Sequence, residues 1–402
     1  MNNYTKQTFL VWLSVSVLLL SACSTTVTRR NIEGPVPVDK SLTEISESQL
    51  LNVSIEVFDP GVLPKDPKDA NGLSMDIRNA EARYMPELLR TTMEKTGYWG
   101  AVRVVPRGTR GGELLVSGTI LASNGEQLDL DITARDASGR EWFHKTYRDG
   151  TEAIFYQANA LFGDAFQPLY NTIANDLASF FKNLTPADIT NIRRIAELRF
   201  ASDIAPDAFA GYLDQNEAGE YKVVHLPSSN DPMFTRVLAI QERDLLMIDT
   251  LNGHFDNFQR EMREPYTEWR KARSDEAEKQ RALEKAALNR TLLGVASIVG
   301  AIFIGVAAPE YNAGLDTLSD VMVLGGAAAI KSGMDKRSEA GIHRDSVEEL
   351  GKSFSSEARP LVIEVDGKTI ELTGSAETQY TQWRALMRQI YSSETGLPVS
   401  AD

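Results

Sequence analysis

The chain has few of the side chains from which most catalytic and metal centres are built. One cysteine, Cys23, and four histidines occur in its 402 residues, so no disulfide can form within the chain. The histidines are His144, His225, His254 and His343. Their wide separation fits no zinc or iron ligand spacing, and the sequence lacks the nucleophile-elbow and zinc-protease motifs. We therefore expect no metal, no cofactor and no enzymatic activity.

Basic tracts are also missing from the sequence. Lys and Arg number 42 against 56 Asp and Glu, which gives a formal net charge of −14 at pH 7. Nucleic acids and anionic lipid surfaces attract proteins through clustered positive charge. The composition therefore argues against nucleic acid as a partner, and against membrane binding that depends on basic side chains.

The beginning of the sequence is typical of an exported protein. Lys6 precedes an apolar run from Phe9 to Leu20, which has the length of a signal peptide and is too short for an ordinary spanning helix. The run ends in Leu20-Ser21-Ala22-Cys23, and this tetrad resembles the lipobox of bacterial lipoproteins. The alternative is an ordinary cleaved leader, or an uncleaved anchor, in which Cys23 is incidental.

The resemblance to lipoproteins implies that residues 1–22 are a signal peptide removed just before Cys23. The new N-terminal cysteine would carry a diacylglyceryl thioether and an amide-linked acyl chain of the palmitate type, and two or more chains anchor a protein stably. In the enterobacterial version of the family, a serine such as Ser24 after the cysteine favours the outer membrane. We therefore expect lipidation at Cys23 and an outer-membrane location facing the periplasm.

Removal of the signal peptide leaves 380 residues with a formal charge of −15, enough for two or three folded units. Residues 23–48 are polar and show no apolar period, which predicts a flexible tether. Residues 49–183 follow an α/β pattern. In its first strand, for example, Val53, Ile55 and Val57 alternate with polar residues. The predicted order of elements is β-α-β-β-β-β-α.

The clearest predicted strand has one apolar and one polar face. Leu128, Leu130, Ile132 and Ala134 alternate with Asp129, Asp131, Thr133 and Arg135. This period predicts a sheet with one wet side. Two carboxylates on that side, Asp129 and Asp131, with Glu126 nearby, allow a calcium site, but we favour a solvated polar face.

The order of elements in residues 50–182, with the fragment Leu115–Ile120, resembles the N-terminal domain of TolB and related flagellar and transport-auxiliary lipoproteins. In that group the domain docks onto other envelope proteins. The resemblance therefore implies a protein-binding domain and carries no catalytic residue with it.

The next segments are predicted to be mainly helical. Residues 184–230 connect the α/β domain to a long helix over 231–290, in which Pro265 should cause a bend. Apolar residues in this helix lie three and four apart and predict a seam for a partner helix. They are Phe234, Leu238, Leu245, Ile248, Leu251, Phe255, Phe258, Met262 and Trp269. Because Arg270–Arg290 is mostly Lys, Arg, Glu and Ala, we expect this stretch to point away from the core.

A helical hairpin rich in glycine and alanine is predicted over residues 291–336. Its arms are Thr291–Ala308 and Leu318–Ile330, and their small residues allow close approach of two backbones. The candidate membrane or oligomer contacts are Gly294, Gly300, Phe303, Gly305, Gly325 and Gly326. Two interpretations stay open: a hairpin buried in the core or in an oligomer interface, and a hairpin inserted in the membrane.

Residues 337–402 are predicted to form a small β-hairpin and a packing helix, which completes an α+β chain. Two functions compete. The first is a lipid-anchored, periplasm-facing outer-membrane lipoprotein with a structural or protein-binding role in an envelope assembly, either with other envelope proteins or with copies of itself. The alternative is a membrane-inserting, oligomeric pore or secretion component that uses the hairpin.

Overall fold

The computed structural model describes residues 36–65, 73–109, 112–151, 156, 163–228, 230–304, 342–352, 361–365 and 368–396. Side chains at 283–284, 286–304 and 361–369 are not part of this description. Two parts of the predicted hairpin, the end of its first arm and all of its second, lie outside the described residues, as do the signal peptide and Cys23.

The fold is α+β, as predicted. The helices in the described residues are α1 (Met75–Glu94), α2 (Gln167–Phe181), α3 (Pro186–Ile204), α4 (Pro232–Ile304), α5 (residues 342–352) and α6 (Ala376–Thr395). The strands are β1 (Leu51–Glu56), β2 (Trp99–Val105), β3 (Leu114–Ser123), β4 (Gln127–Asp136), β5 (Glu141–Gly150), β6 (Leu213–Gln215), β7 (Tyr221–Val223), β8 (Leu361–Val365) and β9 (Lys368–Leu372).

The first seven elements follow the predicted β-α-β-β-β-β-α order. Their strands form one mixed sheet in the order β2-β1-β3-β4-β5, in which β1 runs parallel to both of its neighbours. Strands β3, β4 and β5 form an antiparallel meander. Helix α1 makes the crossover between β1 and β2, since parallel neighbours cannot be joined by a tight turn.

The two faces of β4 differ as the period predicts. Leu128, Leu130, Ile132 and Ala134 are at most 1% exposed. On the opposite face Asp131 and Thr133 are only half-buried and Arg135 is exposed. Asp129 departs from the prediction: it is 8% exposed, and its carboxylate accepts hydrogen bonds from Gln127 and lies 3.4 Å from Arg148. The buried side packs into the core beneath α1 and α2, which contact each other. The sheet therefore has one dry and one wet face.

Local hydrogen bonds explain where two of the helices begin. Ser74 Oγ accepts a hydrogen bond from the Ile77 amide at the start of α1. Thr185 and Asp188 form a reciprocal capping box at the start of α3, with Pro186 in the first turn. Such side chains satisfy amides that have no partner inside the helix. Pro86 lies inside α1, which continues through it.

One apolar core joins the sheet to the helical segments that follow it. Buried residues from β1 to β5, α2, α3, α4 and α6 belong to the same cluster. In α6 the predicted packing residues Tyr380, Trp383, Met387 and Ile390 are all buried in it. Residues 184–230, 231–290 and 337–402, which the sequence analysis separates, therefore contribute to a shared interior.

A strap over residues 36–41 is fixed to α2, although these residues belong to the predicted tether. Asn171 Nδ2 donates to the Val36 carbonyl at 2.7 Å, and Asn175 Nδ2 donates to the Pro37 carbonyl at 3.0 Å. The Asp39 amide donates to Asn175 Oδ1 at 2.7 Å, and Lys182 pairs with the Asp39 carboxylate. Side-chain amides thus hold an extended backbone that has no strand neighbour.

Candidate functional site: the long helix and its contacts

Helix α4 is the longest element of the structure, with 73 residues. At 1.5 Å per residue its length is about 110 Å. Asp231 caps its start, because its Oδ1 atom accepts hydrogen bonds from the amides of Met233 and Phe234. The helix continues through Pro265, at which we expected a bend. The contacts on the two sides of this proline differ in kind, and they define two zones.

The apolar zone, Val237–Met262, contacts the body of the protein through large apolar side chains. Its most buried members, at most 4% exposed, are Val237, Ile240, Met247, Ile248, Leu251, Phe255, Phe258 and Met262. They pack against β2, α1, α3 and α6. The predicted seam is buried from Ile248 onwards. In the turns before it, Leu238 and Leu245 are only half-buried, and the buried positions are Val237, Ile240 and Met247. Within the described residues the partners of the seam are elements of the same chain.

The apolar zone also covers the edge of the sheet. Asn252 Oδ1 accepts a hydrogen bond from the Val104 amide at 2.7 Å, and Asn252 Nδ2 donates to the Val104 carbonyl at 2.9 Å. One side chain thus replaces a neighbouring strand at the β2 edge. Arg103 on β2 pairs with Asp249 at 2.6 Å. A covered edge cannot recruit a strand from another molecule.

The ionic zone, Tyr266–Arg281, contacts the body through charged and hydroxyl groups together with the buried rings of Tyr266 and Trp269, which pack on α1. Arg270 is 2% exposed, and its guanidinium donates to both carboxylate oxygens of Asp164, at 3.1 and 2.6 Å. The same guanidinium lies 4.3 Å from the ring centre of Tyr266. Arg273 and Ser274 are also buried. The prediction that Arg270–Arg290 points away from the core is wrong for the turns between Arg270 and Arg281. Carboxylates from distant parts of the sequence pair with these two arginines and hold them against the body.

The β3–β4 turn packs directly on this part of the helix. Gly125 in the turn has φ +85°, and a Cβ atom there would lie 2.6 Å from the Arg270 carbonyl oxygen. The next residue, Glu126, accepts two hydrogen bonds from Arg281, at 2.8 and 2.6 Å. Glycine is needed here both for the left-handed backbone and for the close approach.

A buried carboxylate, Glu81 on α1, lies beneath the ionic zone. Its Oε1 atom accepts hydrogen bonds from Ser123 Oγ and Tyr266 Oη, both at 2.7 Å, and Oε2 lies 3.5 Å from Arg78. Burial raises the pKa of Glu81, and the charge of Arg78 opposes this shift. Both residues are at most 2% exposed.

Several buried polar atoms at this contact have no hydrogen-bond partner among the described residues. They are Arg78 Nε and Nη1, Glu81 Oε2, Arg270 Nε and Ser274 Oγ. An unsatisfied buried polar atom costs about 1–3 kcal/mol. The ionic zone therefore contributes less to the free energy of folding than its number of ion pairs implies.

The carboxylates weighed as a calcium site have protein partners. Glu126 binds Arg281, and Asp131 accepts hydrogen bonds from Thr146 at 2.9 Å and from His144 Nε2 at 2.7 Å. The described part of the chain contains no group of three or more His, Cys, Asp or Glu side chains arranged for a metal. The pairing lowers the pKa of Asp131 and raises the pKa of His144.

A groove of about 1220 Å³ lies between the end of α3, the following loop and α6. Arg384 at its floor pairs with Asp203 and lies 3.2 Å from Asp244, and Arg388 pairs with Asp203 as well. Trp383 Nε1 donates to Asp244 at 3.1 Å. Two arginines thus face two carboxylates, and the floor has no net charge with which to select an ion.

The structure places three of the predicted contact residues in one helix. Gly294, Gly300 and Phe303 lie in the last turns of α4, which passes from the predicted long helix into the first predicted arm without a break. Their side chains, and all of Cys23, Gly305, Gly325 and Gly326, lie outside the described residues. Among helices whose side chains are described, none is both long and apolar enough to cross a membrane.

Sequence reasoning missed the ionic zone, although its signal was present. Tyr266, Arg270 and Ser274 continue the four-residue spacing of Phe258 and Met262 along the buried side of α4. Hydrophobic periodicity ignores such positions because it counts Arg and Ser as polar.

Comparison with known proteins adds no relative. No protein-family model matches the chain, and no curated protein or solved structure is significantly similar to it.

Proposed function

We propose that the protein is a lipid-anchored, periplasm-facing outer-membrane lipoprotein with a structural or protein-binding role in an envelope assembly. The main support for this proposal is that α4 continues beyond its last described ion pair with the body. This pair is Arg281–Glu126, and the helix continues to Ile304 through the apolar sequence that begins at Thr291. Ten residues of helix, about 15 Å, separate Arg281 from Thr291. The apolar sequence is thus carried on a rigid element beyond this pair.

The sequence of the N-terminus supports the lipid anchor. Val36, the first residue of the fixed strap, follows Cys23 by 13 residues. At 3.3–3.6 Å per residue, this stretch reaches at most about 45 Å. Acyl chains on Cys23 would therefore keep the folded body within that distance of the bilayer, while α4 extends 23 residues, about 35 Å, beyond Arg281 and is available for contact with other components.

The element order of residues 50–182 supports a docking role, because it resembles the TolB N-terminal domain. The wet face of its sheet is available for such a role. Thr119, Asp131, Thr133, His144 and Thr146 line this face, and none of them is buried.

A membrane-inserting oligomer is the second candidate. It is favoured by the 18 residues of Thr291–Ala308, which as a helix measure about 27 Å against the roughly 30 Å of a hydrocarbon core. Copies of the chain would bring their small residues together, and Gly294 and Gly300 are among them. In this case the apolar arms, in addition to the acyl chains, would hold the protein in the bilayer.

Mass spectrometry of the processed chain tests the anchor. We expect an N-terminus at Cys23 that carries acyl chains, and a Cys23→Ser protein without them. Thr25→Ala is the matched control, since it changes the neighbourhood and leaves the tetrad intact. A processed wild-type chain without fatty acid, or with residues 1–22 retained, would contradict the proposal.

Membrane fractionation separates the two candidates. For a lipoprotein held only by its acyl chains, Cys23→Ser should move from the membrane to the soluble fraction. For an inserted hairpin, Cys23→Ser should stay in the membrane, and only the further deletion of residues 291–330 should release it.

A further inference from the structure

We propose that the ionic zone of α4 is a latch, which opens from the body while the apolar zone stays in place. Pro265 separates the two zones, and it lacks the amide that would bond to the carbonyl of Glu261. A helix yields most readily at such a missing hydrogen bond. The distal part of α4 can thus swing at Pro265 without disturbing the core around Phe255.

Opening would break different contacts on the two sides of Pro265. In the apolar zone, opening would expose large side chains such as Ile248 and Phe255, and the cost rises with the apolar area uncovered. In the ionic zone, opening returns Arg270, Asp164 and Glu81 to water, which recovers the hydration that burial removed. This recovered hydration offsets part of the cost of uncovering Tyr266 and Trp269, which are each 1% exposed and leave α1 when the zone opens.

The hydrogen bonding at the latch is incomplete. Arg78 Nε, Arg270 Nε and Ser274 Oγ are buried without a hydrogen-bond partner among the described residues. Each of them gains a water partner when the zone opens. Elements that move in proteins are drawn from such regions of low local stability.

The β3–β4 turn of the body supports the helix beneath the latch. Gly125 meets the Arg270 carbonyl, and Glu126 meets Arg281, so the β3–β4 turn supports the helix at two points about three turns apart. The turn determines the direction of the distal helix when the latch is closed. Its release would let the sequence that begins at Thr291 take a new direction. This consequence rests on the proposed function, whereas the opening itself does not.

Thiol labelling measures the opening, because Cys23 is the only cysteine. In a full-length Cys23→Ser protein, Ser274→Cys places one thiol at a position that is 1% exposed in the latch. Val237→Cys places one at a position that is 0% exposed in the apolar zone. We expect the thiol at 274 to react with a small disulfide reagent at least about tenfold faster than the thiol at 237. Equal rates would mean that both zones open only on global unfolding, and the latch would be wrong.

A second pair of variants tests the ion pairs. Arg281→Gln should speed labelling at position 274 about threefold or more, since it breaks the outer contact, and leave position 237 unchanged. Arg260→Gln is the matched control, because Arg260 pairs only within the helix, with Asp256, and is exposed. A similar acceleration by Arg260→Gln, or none by Arg281→Gln, would contradict the latch.

A probe from the opposite side guards against a folding defect in Ser274→Cys. Ser123 is 2% exposed and faces Tyr266 from the sheet, so Ser123→Cys should label at the rate of the thiol at 274. Labelling at the slow rate of position 237 would overturn the proposal. Because all these proteins lack Cys23, the result is independent of lipidation, and failure of the latch differs from failure of the anchor.

Discussion

The two zones of α4 lie on one helix and contact the same body, but different interactions hold them there. The apolar zone excludes water with large side chains. The ionic zone buries Arg270 against Asp164 beside the rings of Tyr266 and Trp269, and it holds the partly exposed Arg281 against Glu126. Burial of apolar area is favourable wherever the shapes fit. Burial of charge balances a desolvation cost against attraction, and the result depends on every partner being present. The same helix therefore has a firmly fixed part and a part that single substitutions can release.

We expect the largest loss of stability from a substitution in the apolar zone. Phe255→Ala removes a side chain that is 0% exposed in the main core. We expect the free energy of unfolding to fall by about 3–5 kcal/mol, because a cavity adds to the lost transfer energy. Urea denaturation measures the change. Leu246→Ala is the control on the same helix, since Leu246 is 67% exposed. A comparable loss in the control would contradict the assignment of the buried side.

We expect a somewhat smaller loss of stability from a substitution in the ionic zone. Arg270→Met should lower the free energy of unfolding by about 3 kcal/mol, because it leaves the Asp164 carboxylate buried without its partner. The double variant with Asp164→Leu should recover most of this loss, since an apolar pair carries no desolvation cost. If Arg270→Met were as stable as wild type, the buried ion pair would have no role in holding the helix.

The β3–β4 turn gives a smaller and more specific effect. Gly125→Ala should cost about 1–3 kcal/mol in unfolding free energy, because it combines a left-handed φ with a clash against the Arg270 carbonyl. Gly108→Ala is the matched control: Gly108 has φ +78° and nothing within 4 Å of its added Cβ atom. The difference between the two variants isolates the contact with α4. Equal losses of unfolding free energy in the two variants would show that the close contact between the turn and α4 does not affect stability.

The smallest effect is a dependence on pH. Burial raises the pKa of Glu81 in the folded state, so folding favours its protonated form. Stability from this group is present below the unfolded pKa and is lost as the pH rises through the folded pKa. The unfolding free energy of wild type relative to Glu81→Gln should therefore increase as the pH falls from 7 towards 5.

Asp131→Asn provides the control of opposite sign for this experiment. The pKa of Asp131 is lowered in the folded state, chiefly by its hydrogen bond with His144. Its contribution is therefore present above the unfolded pKa and is lost as the pH falls through the folded pKa. Denaturation between pH 7 and pH 5 should therefore change the difference between wild type and Glu81→Gln and leave the difference between wild type and Asp131→Asn constant, because the contribution of Asp131 changes only below about pH 4. A parallel response would remove Glu81 as the source of the effect.

Much of the fold could be predicted because it is encoded locally. Alternation along Leu128–Ala134 and the Thr185-Pro186 start of α3 each need only a few neighbouring residues. The contacts of α4 could not be predicted in this way. Its apolar period indicated a seam, but not that β2, α1, α3 and α6 are the partners.

The element order and the apolar face of each amphipathic element are encoded in neighbouring residues, because side-chain periodicity follows from backbone geometry. The placement of Arg270 and Arg281 against the body depends instead on contacts between distant parts of the chain. Their partners, Asp164 and Glu126, lie 106 and 155 residues away in the chain. Burial of an arginine such as Arg270 requires a carboxylate that compensates for the lost hydration. Because that carboxylate is distant in the chain, the local sequence pattern does not predict the pair.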